Sequence, residues 1–395
     1  MTDRLTPAPD RFPDAPRVGI GMIGYNLMGK AHTNGLLKIP HMMYPPAAVP
    51  VLASIAGRTE SAVAAAAARY GYGSYSTDWR DVVNDPSVQV LDNSGPNRVH
   101  LPASLAAIEL GKHVICEKPL GMTAAESKQL WQAAEAAGVK HMTGFNYRFV
   151  PAVQFARRLI QGGVIGDIRH FRGQYLQPSL VDADAPRKWR LDRAEAGKGT
   201  LGDLGSHTVD LARFLVGEPV RVNGIVKTMV PERPSLEDPG VLQPVTVDDA
   251  FVALMEFGNG AIATVEGTKY ATGRDNFNQF EINGTRGSIA CNQEAMNELQ
   301  LYTDDVGPDG ANGFRRVTCT QPGHPYAEYW WARGHIIGWE HTFAHELHHF
   351  LDCIVNDKDV APLGATFEDG YRVDVILDAI AESSDNNGNG VAISF

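Results

Sequence analysis

Three residues have the types and spacing to do chemistry: Lys118, Asp203 and His207. Lys118 stands in Glu117-Lys118-Pro119, directly after the apolar run 114–116. That run reads as a buried parallel strand, so Glu117 and Lys118 fall at its carboxyl end, where open α/β sheets bind ligands. Pro119 fixes the exit of the chain and biases Lys118 to an extended backbone. Asp203 and His207 lie in Gly199-Thr200-Leu201-Gly202-Asp203-Leu204-Gly205-Ser206-His207. Four apart at a helix start, they share a face. A carboxylate beside an imidazole orients the ring and raises its basicity, and the glycines allow close approach of a ligand. An ammonium, a carboxylate and an imidazole together suit general base catalysis with electrostatic support. The plainer alternatives are a solvated ion pair at a strand end and a helix cap with a core histidine.

The elements around these residues alternate. Residues 18–23 form an apolar strand, followed by Gly24-Tyr25-Asn26-Leu27-Met28-Gly29 and a helical pattern from Lys30. This is the strand, glycine turn and helix of a dinucleotide site. Asn26 replaces the usual middle glycine and tolerates unusual φ better than most residues. The alternative register Gly19-Ile20-Gly21-Met22-Ile23-Gly24 puts the glycines inside the strand and leaves no turn before the helix. A second strand, 49–56, ends in Gly57-Arg58-Thr59. No ribose-binding acid stands at that end. Arg58 suits adenine stacking or a 2′-phosphate, so the chemistry admits NADP. A helix at 61–70, a strand at 88–91, the turn Asn93-Ser94-Gly95-Pro96-Asn97, a helix from His100 to Leu110, a helix from the capping box at Thr123 to Gly138, and a strand at 141–143 follow. Residues 17–143 therefore predict an α/β Rossmann domain with a doubly wound parallel sheet.

From Gly144 the texture changes to strands without crossover helices, at 168–176, 220–227, 250–257, 261–269, 280–283 and 299–303, with a hairpin at Gly258-Asn259-Gly260. Helical patterns return at 206–216, 342–356 and 366–383. Residues 144–395 predict an α+β domain with a large, mostly antiparallel sheet. Residues 1–16, with four prolines, predict a flexible arm.

His345-Glu346-Leu347-His348-His349 contains the zinc-protease spacing HExxH. A nucleotide-binding first half argues against that chemistry, and the expectation is no metal. Tyr326-Ala327-Glu328-Tyr329-Trp330-Trp331-Ala332-Arg333-Gly334-His335 is an aromatic loop that suits either a sugar face or an aromatic cluster. Trp189 invites the same two readings. Tyr147 and Arg148 follow the first domain directly and are expected to face the cleft.

Composition narrows the function. The 395 residues carry a net charge of −11, which excludes phosphate-backbone binding and makes nucleic acid an unexpected partner. No apolar run approaches the roughly 18 residues of a membrane helix, so no membrane is expected. Four scattered cysteines without CxxC spacing point to a reducing, cytoplasmic setting.

The turn at Gly24 to Gly29, Pro96-Asn97, Glu117-Lys118-Pro119, and Asp203 with His207 together resemble the glucose–fructose oxidoreductase/inositol dehydrogenase/MocA (Gfo/Idh/MocA) family. The resemblance runs from Val18 to about Ser383. Within the family, the Gly24-Tyr25 start of the turn and the stretch from Tyr329 to His341 are similar to sugar 3-dehydrogenases. The resemblance implies a Rossmann domain plus an open-faced sheet, with sheets packing into dimers or tetramers. It implies Lys118, Asp203 and His207 as catalytic residues. Gly24, Tyr25, Asn26, Leu27, Met28, Gly57, Arg58, Ser94, Pro96, Asn97, His100, Glu117 and Lys118 are then expected at the cofactor. Lys118, Tyr147, Arg148, Tyr175, Trp189, Asp203, His207 and His335 are expected at the substrate. The expected cofactor is NAD, with NADP possible. The expected reaction is reversible oxidation of a secondary hydroxyl of a sugar or cyclic polyol, such as an anhydrosugar, glycoside or inositol. The rival reading is a non-catalytic dinucleotide-binding sensor on the same fold.

Overall fold

The computed structural model describes residues 11–304 and 310–395. In the first half, β1 (Arg17–Ile23), α1 (Leu27–Met42), β2 (Val49–Ala56), α2 (Glu60–Tyr70), β3 (Ser74–Ser76), α3 (Trp79–Asn84), β4 (Val90–Asn93), α4 (Asn97–Glu109), β5 (His113–Glu117), α5 (Ala124–Ala137) and β6 (His141–Gly144) alternate. The strands form one parallel sheet in the order β3-β2-β1-β4-β5-β6. Helices cover both faces, so the strands are apolar nearly throughout: Val90, Leu91, Val114, Ile115 and Cys116 are all buried. The strand order reverses between β1 and β4, which opens a crevice at the carboxyl ends of these two strands. Thr123 caps α5 by accepting from the Glu126 N–H, and Gly138, at φ 66°, ends it.

The second half contains α6 (Pro151–Gln161), β7 (Ile168–Leu176), α7 (Arg193–Ala196), α8 (Ser206–Val216), β8 (Pro219–Lys227), β9 (Glu232–Pro234), β10 (Leu242–Pro244), β11 (Ala250–Phe257), β12 (Ile262–Thr268), β13 (Phe277–Gly284), β14 (Gly287–Asn292), β15 (Glu298–Thr303), β16 (Arg315–Thr318), α9 (Glu340–Val355), α10 (Phe367–Asp385) and β17 (Val391–Ala392). Nine strands make one sheet, β16-β15-β14-β13-β7-β12-β11-β8-β17. Only the β12–β7 pair is parallel. Alternation sorts the two faces. Phe171, Phe251, Ala253, Met255, Val265, Phe280 and Ile282 face helices α6, α8 and α10 in the core. Val252, Leu254, Ile225 and Ile262 stand on the opposite face, each more than half exposed.

Packing runs across the expected division at residue 144. Helix α9 is remote from α1 in sequence but packs along it, and Phe343, Ala344, Leu347, Phe350 and Leu351 share one apolar cluster with Leu36 and Ile39. Gly35 is where the helices touch, since a side chain there would meet the backbone of Phe343 and Ala344. Helix α10 also crosses back: Tyr371 stacks on Trp131 of α5 at 5.6 Å, and Gly370 lies against Leu120 and Thr143. The second half thus supplies part of the first domain's packing. Residues 1–10 of the expected arm lie outside the described residues. Its end lies on the surface, with the Phe12 ring 5.6 Å from His41 and 6.3 Å from Tyr44.

Candidate active site

Strand β5 delivers Lys118 to the mouth of the cleft between the two halves. Its Nζ donates to the Asp203 carbonyl at 2.9 Å and to Asp203 Oδ1 at 3.0 Å. The other carboxylate oxygen, Oδ2, faces Lys269 Nζ at 2.7 Å. Asp203 is thus held between two ammonium groups. Burial opposes its charge, but Lys118 and Lys269, with the Arg190 guanidinium beyond them, keep its pKa well below the usual carboxylate range. Asp203 sits in one wide, π-type turn, Leu201–Gly205, that runs directly into α8. Asp248 fixes the start of that turn by accepting from the N–H groups of Gly199 and Leu201 at 2.9 and 2.6 Å.

His207 opens α8 and is buried among rings. Tyr147 lies 4.5 Å away, Tyr175 5.9 Å and Phe145 6.0 Å, centroid to centroid. The tyrosine hydroxyls bond each other at 2.9 Å, and Tyr175 donates to Asn276 Oδ1 at 2.8 Å. Nδ1 of His207 has no hydrogen-bond partner among the described residues. Burial lowers the pKa of His207 well below the ordinary value, and Lys118 lowers it further against a smaller opposing effect of Asp203. The ring is therefore neutral at neutral pH and able to accept a proton.

The crevice fits a dinucleotide. Gly24 has φ 96°, and a Cβ there would come within 2.6 Å of the Ser94 carbonyl oxygen. Gly29 must also lack a side chain, because a Cβ there would collide with the Gly24 carbonyl oxygen. Helix α1 opens at Leu27 with no side-chain cap, so its first N–H groups are open to a phosphate. The Tyr25 ring lies against Gly57, covering the end of β2, and Arg58 beside it is exposed.

Comparison with known proteins agrees with this geometry. Residues 18–145 match the family model described as "Oxidoreductase family, NAD-binding Rossmann fold", and residues 153–290 match "GFO/IDH/MocA C-terminal domain". The chain is 41% identical over 379 residues to levoglucosan dehydrogenase of Pseudarthrobacter phenanthrenivorans, covering 93% of this chain and 96% of that one. The chain belongs to the Gfo/Idh/MocA oxidoreductase family. A solved levoglucosan dehydrogenase in complex with NADH and levoglucosan superposes with a TM-score of 0.91 at 41% identity, over 96% of this chain and 99% of that one. An oxidoreductase domain protein from Kribbella flavida, 42% identical, gives the same TM-score over 96% of this chain and 100% of that one. Like the matched family model, the first domain is an NAD-binding Rossmann domain, and the chain is an oxidoreductase of a family of sugar and polyol dehydrogenases.

Within this Gfo/Idh/MocA framework several expected placements change. Asp203 does not orient His207 through a hydrogen bond; its oxygens are taken by Lys118 and Lys269. The glycines before it serve protein packing: Gly199 meets Asp248, Gly202 meets Lys198 and Gly205 meets Phe251. Asn26 has an ordinary φ of −77°, so its tolerance of unusual backbone is not used.

Arg148 does not offer its guanidinium to the cleft. It is buried, with Nε 2.9 Å from Asp210 Oδ2 and an Nη 2.6 Å from Oδ1, and Asp369 completes the set at 3.4 Å. His335 is exposed, and its Nδ1 donates to Ala332 O at 2.9 Å within its own loop. His100 is buried beneath the crevice, its nitrogens 2.9 Å from Pro119 O and 3.2 Å from Gly95 O. Ser94 donates to Asp92 at 2.8 Å, and Asn97, which follows the capping Pro96, reaches across to Ala196 O at 2.9 Å. Met28 packs beside the apolar cluster that α1 shares with α9. Trp189 is half-buried, with the Arg190 guanidinium carbon 4.5 Å from its ring centre.

Helix α9 uses its histidines separately. His345 Nδ1 donates to Phe149 O at 2.9 Å, and its Nε2 accepts from Trp330 Nε1 at 2.6 Å. His349 donates to Val360 O at 2.8 Å. The aromatic loop packs on this helix, with Tyr326 stacked on His345 at 3.9 Å. Sequence reasoning missed Lys269, Asp248 and His32. Lys269 had a signal: Ala263, Val265 and Gly267 alternate on the buried face, and the same alternation carries Lys269 inward.

Proposed function

We propose that the chain catalyses reversible, dinucleotide-dependent oxidation of one secondary hydroxyl of a cyclic sugar or polyol, with an anhydrosugar of the levoglucosan type as the favoured substrate. The observation that carries the reading is the pairing of Lys118, held by Asp203, with a buried, neutral His207 in one cleft at the carboxyl end of β5. The narrower substrate rests on likeness to levoglucosan dehydrogenase. Gly24, Tyr25 and the open N-terminus of α1 would hold the pyrophosphate side of the cofactor, and Ser94, Pro96, Glu117 and Lys118 its nicotinamide half. The dinucleotide supplies the hydride acceptor, chemistry that belongs to the cofactor.

His207 takes the hydroxyl proton, since its ring is kept unprotonated by burial and by Lys118. Lys118 uses two of its three protons on Asp203 and has one left for the substrate oxygen. It stabilises the alkoxide as charge develops. Asp203 and Lys269 keep the ammonium in place. Tyr147, Tyr175 and Trp189 give the sugar ring apolar faces and hydroxyl partners.

Arg58, exposed where an acid would bind the adenosine ribose, supports use of NADP beside NAD. The exposed row Ile225, Val252, Leu254 and Ile262 supports assembly into a dimer or tetramer through the open sheet. Four unpaired, buried cysteines suit the cytoplasm, and no helix among the described residues is long and apolar enough to cross a membrane. The test is a matrix of anhydrosugars, glycosides and inositols against NAD and NADP, followed by reduced-nicotinamide absorbance. Turnover of a cyclic sugar is expected. Tight NADH binding with no turnover of any polyol would favour the sensor reading instead.

A further inference from the structure

Beneath the crevice lies a buried charged relay outside the catalytic group. His32, on the second turn of α1, is fully buried between two carboxylates. Its Nδ1 lies 3.0 and 2.9 Å from the two oxygens of Asp92, at the end of β4. Its Nε2 lies 3.0 Å from Glu117 Oε1, at the end of β5. Each carboxylate also accepts from a second donor. Asp92 Oδ1 accepts from the Ser94 hydroxyl at 2.8 Å, and Glu117 Oε2 accepts from the backbone N–H of Lys118 at 3.1 Å. Hydrogen bonds thus run unbroken from Ser94 through Asp92, His32 and Glu117 to the Lys118 amide. Gly144 seals the Glu117 carboxyl from behind, since a Cβ there would sit 3.0 Å from Oε1.

A buried ionic group is a weak source of stability, because desolvation offsets most of the attraction. Its geometry, by contrast, is restrictive: it ties together a helix and two strand ends that all border the cofactor crevice. We propose that His32 is a positioning residue, which by bridging Asp92 and Glu117 fixes the end of β5 and so the point from which Lys118 reaches the substrate. This role rests on the function proposed for Lys118 above.

Ionised carboxylates only accept hydrogen bonds, so a ring that serves both Asp92 and Glu117 donates from both nitrogens and is an imidazolium. Burial works against that charge, and Asp92 and Glu117 outweigh it. Two further groups face the relay. Glu346, on α9, has neither carboxyl oxygen hydrogen-bonded among the described residues, and burial pushes it toward the neutral acid against the pull of His32. Tyr72 bonds Thr33 at 2.9 Å, and burial raises its pKa well above the ordinary value, with Asp92 adding to the rise.

The two ring nitrogens can be mimicked one at a time. In His32→Asn the side-chain amide reaches the place of Nδ1 and keeps the Asp92 bond. In His32→Gln it reaches the place of Nε2 and keeps the Glu117 bond. The Asn variant is expected to lose about tenfold to a hundredfold in kcat at little changed sugar KM, as for a misplaced catalytic group, and the Gln variant to recover most of that loss. The amide resonance of Lys118 should move in the Asn variant and stay near its place in the Gln variant. In the wild-type chain, nitrogen-15 NMR of labelled histidine should show His32 doubly protonated at about pH 8. Equal kcat in the two variants, or equal losses that track thermal stability, would overturn the proposal. So would a neutral His32 ring in the wild type, a measurement that needs no variant to fold. Absence of sugar turnover by the wild type would refute the proposed function alone, because the ring's charge and the Lys118 amide shift are read without substrate.

Discussion

Replacing Lys118 with Met removes the ammonium and keeps most of the side chain's length and packing. Two of the three Nζ protons are given to Asp203, at 2.9 and 3.0 Å, and in the proposed mechanism the third serves the substrate oxygen. Losing one charge-assisted hydrogen bond costs about 1.5–3 kcal/mol. In the proposed mechanism the bond strengthens as the alkoxide forms, which raises the loss to about 2.7–4 kcal/mol, or roughly a hundredfold to a thousandfold in kcat. Folding should survive, because Asp203 keeps Lys269 at 2.7 Å and is not left as an uncompensated charge. Lys118→Arg should not rescue, since a planar fork cannot replace a compact ammonium serving three acceptors. The assay is initial-rate formation of reduced nicotinamide, with NADH affinity measured separately by fluorescence. A second readout follows from electrostatics. Lys118 helps hold the pKa of His207 down, so the acid limb of the residual activity should shift upward, toward about 6.5. A folded Lys118→Met enzyme with kcat within about threefold of wild type would refute the assignment, given the size of the expected loss.

Arg148→Met should destabilise the fold by about 3–5 kcal/mol, because it leaves Asp210 buried without its partner; a thermal midpoint unchanged from wild type would argue against the buried pair. Acid should weaken the protein through His345, whose pKa burial lowers to about 3. Below about pH 6.5 the unfolded ring gains a proton that the native ring refuses, so stability falls with pH, by about 2 kcal/mol at about pH 5 for this group alone. His32 has the opposite sign: its contribution is present below about 6.5 and is lost as pH rises through its raised native value. Denaturant titrations across pH would separate the two limbs. If the proposed sheet-face assembly forms, Leu254→Glu with Ile262→Glu should convert it to monomers by light scattering, since both side chains stand on the exposed sheet face.

Much of the architecture was legible because local signals agreed. Strands β7 and β11 begin and end where alternation alone put them, and the parallel strands announced themselves as short apolar runs between glycine turns. The short strands β3, β14 and β16 and the helix α3 went unread, because segments this short carry little periodicity. Lys118 and His207 were visible as residue types beside a dinucleotide turn. The bonding of Asp203 was not, because Lys118 and Lys269, both remote in sequence, take its carboxylate oxygens. Arg148 was misread for a similar reason: its partners Asp210 and Asp369 lie far along the chain, and sequence gives no distance between them. His32 gave no signal of its own, because its partners Asp92 and Glu117 come from β4 and β5, far along the chain.

The seat of α9 against α1 has a consequence for how the chain is made. The nucleotide-binding half is discontinuous. A nascent chain that has emerged only through β6 has its sheet but leaves the apolar flank of α1, with Leu36 and Ile39, uncovered. That flank stays sticky until the last helices leave the ribosome. A fragment cut after residue 144 should therefore aggregate rather than behave as a portable cofactor-binding module. The same stitching makes the cleft a product of the finished chain, because α9, which packs on α1, is synthesised after the strands of the large sheet.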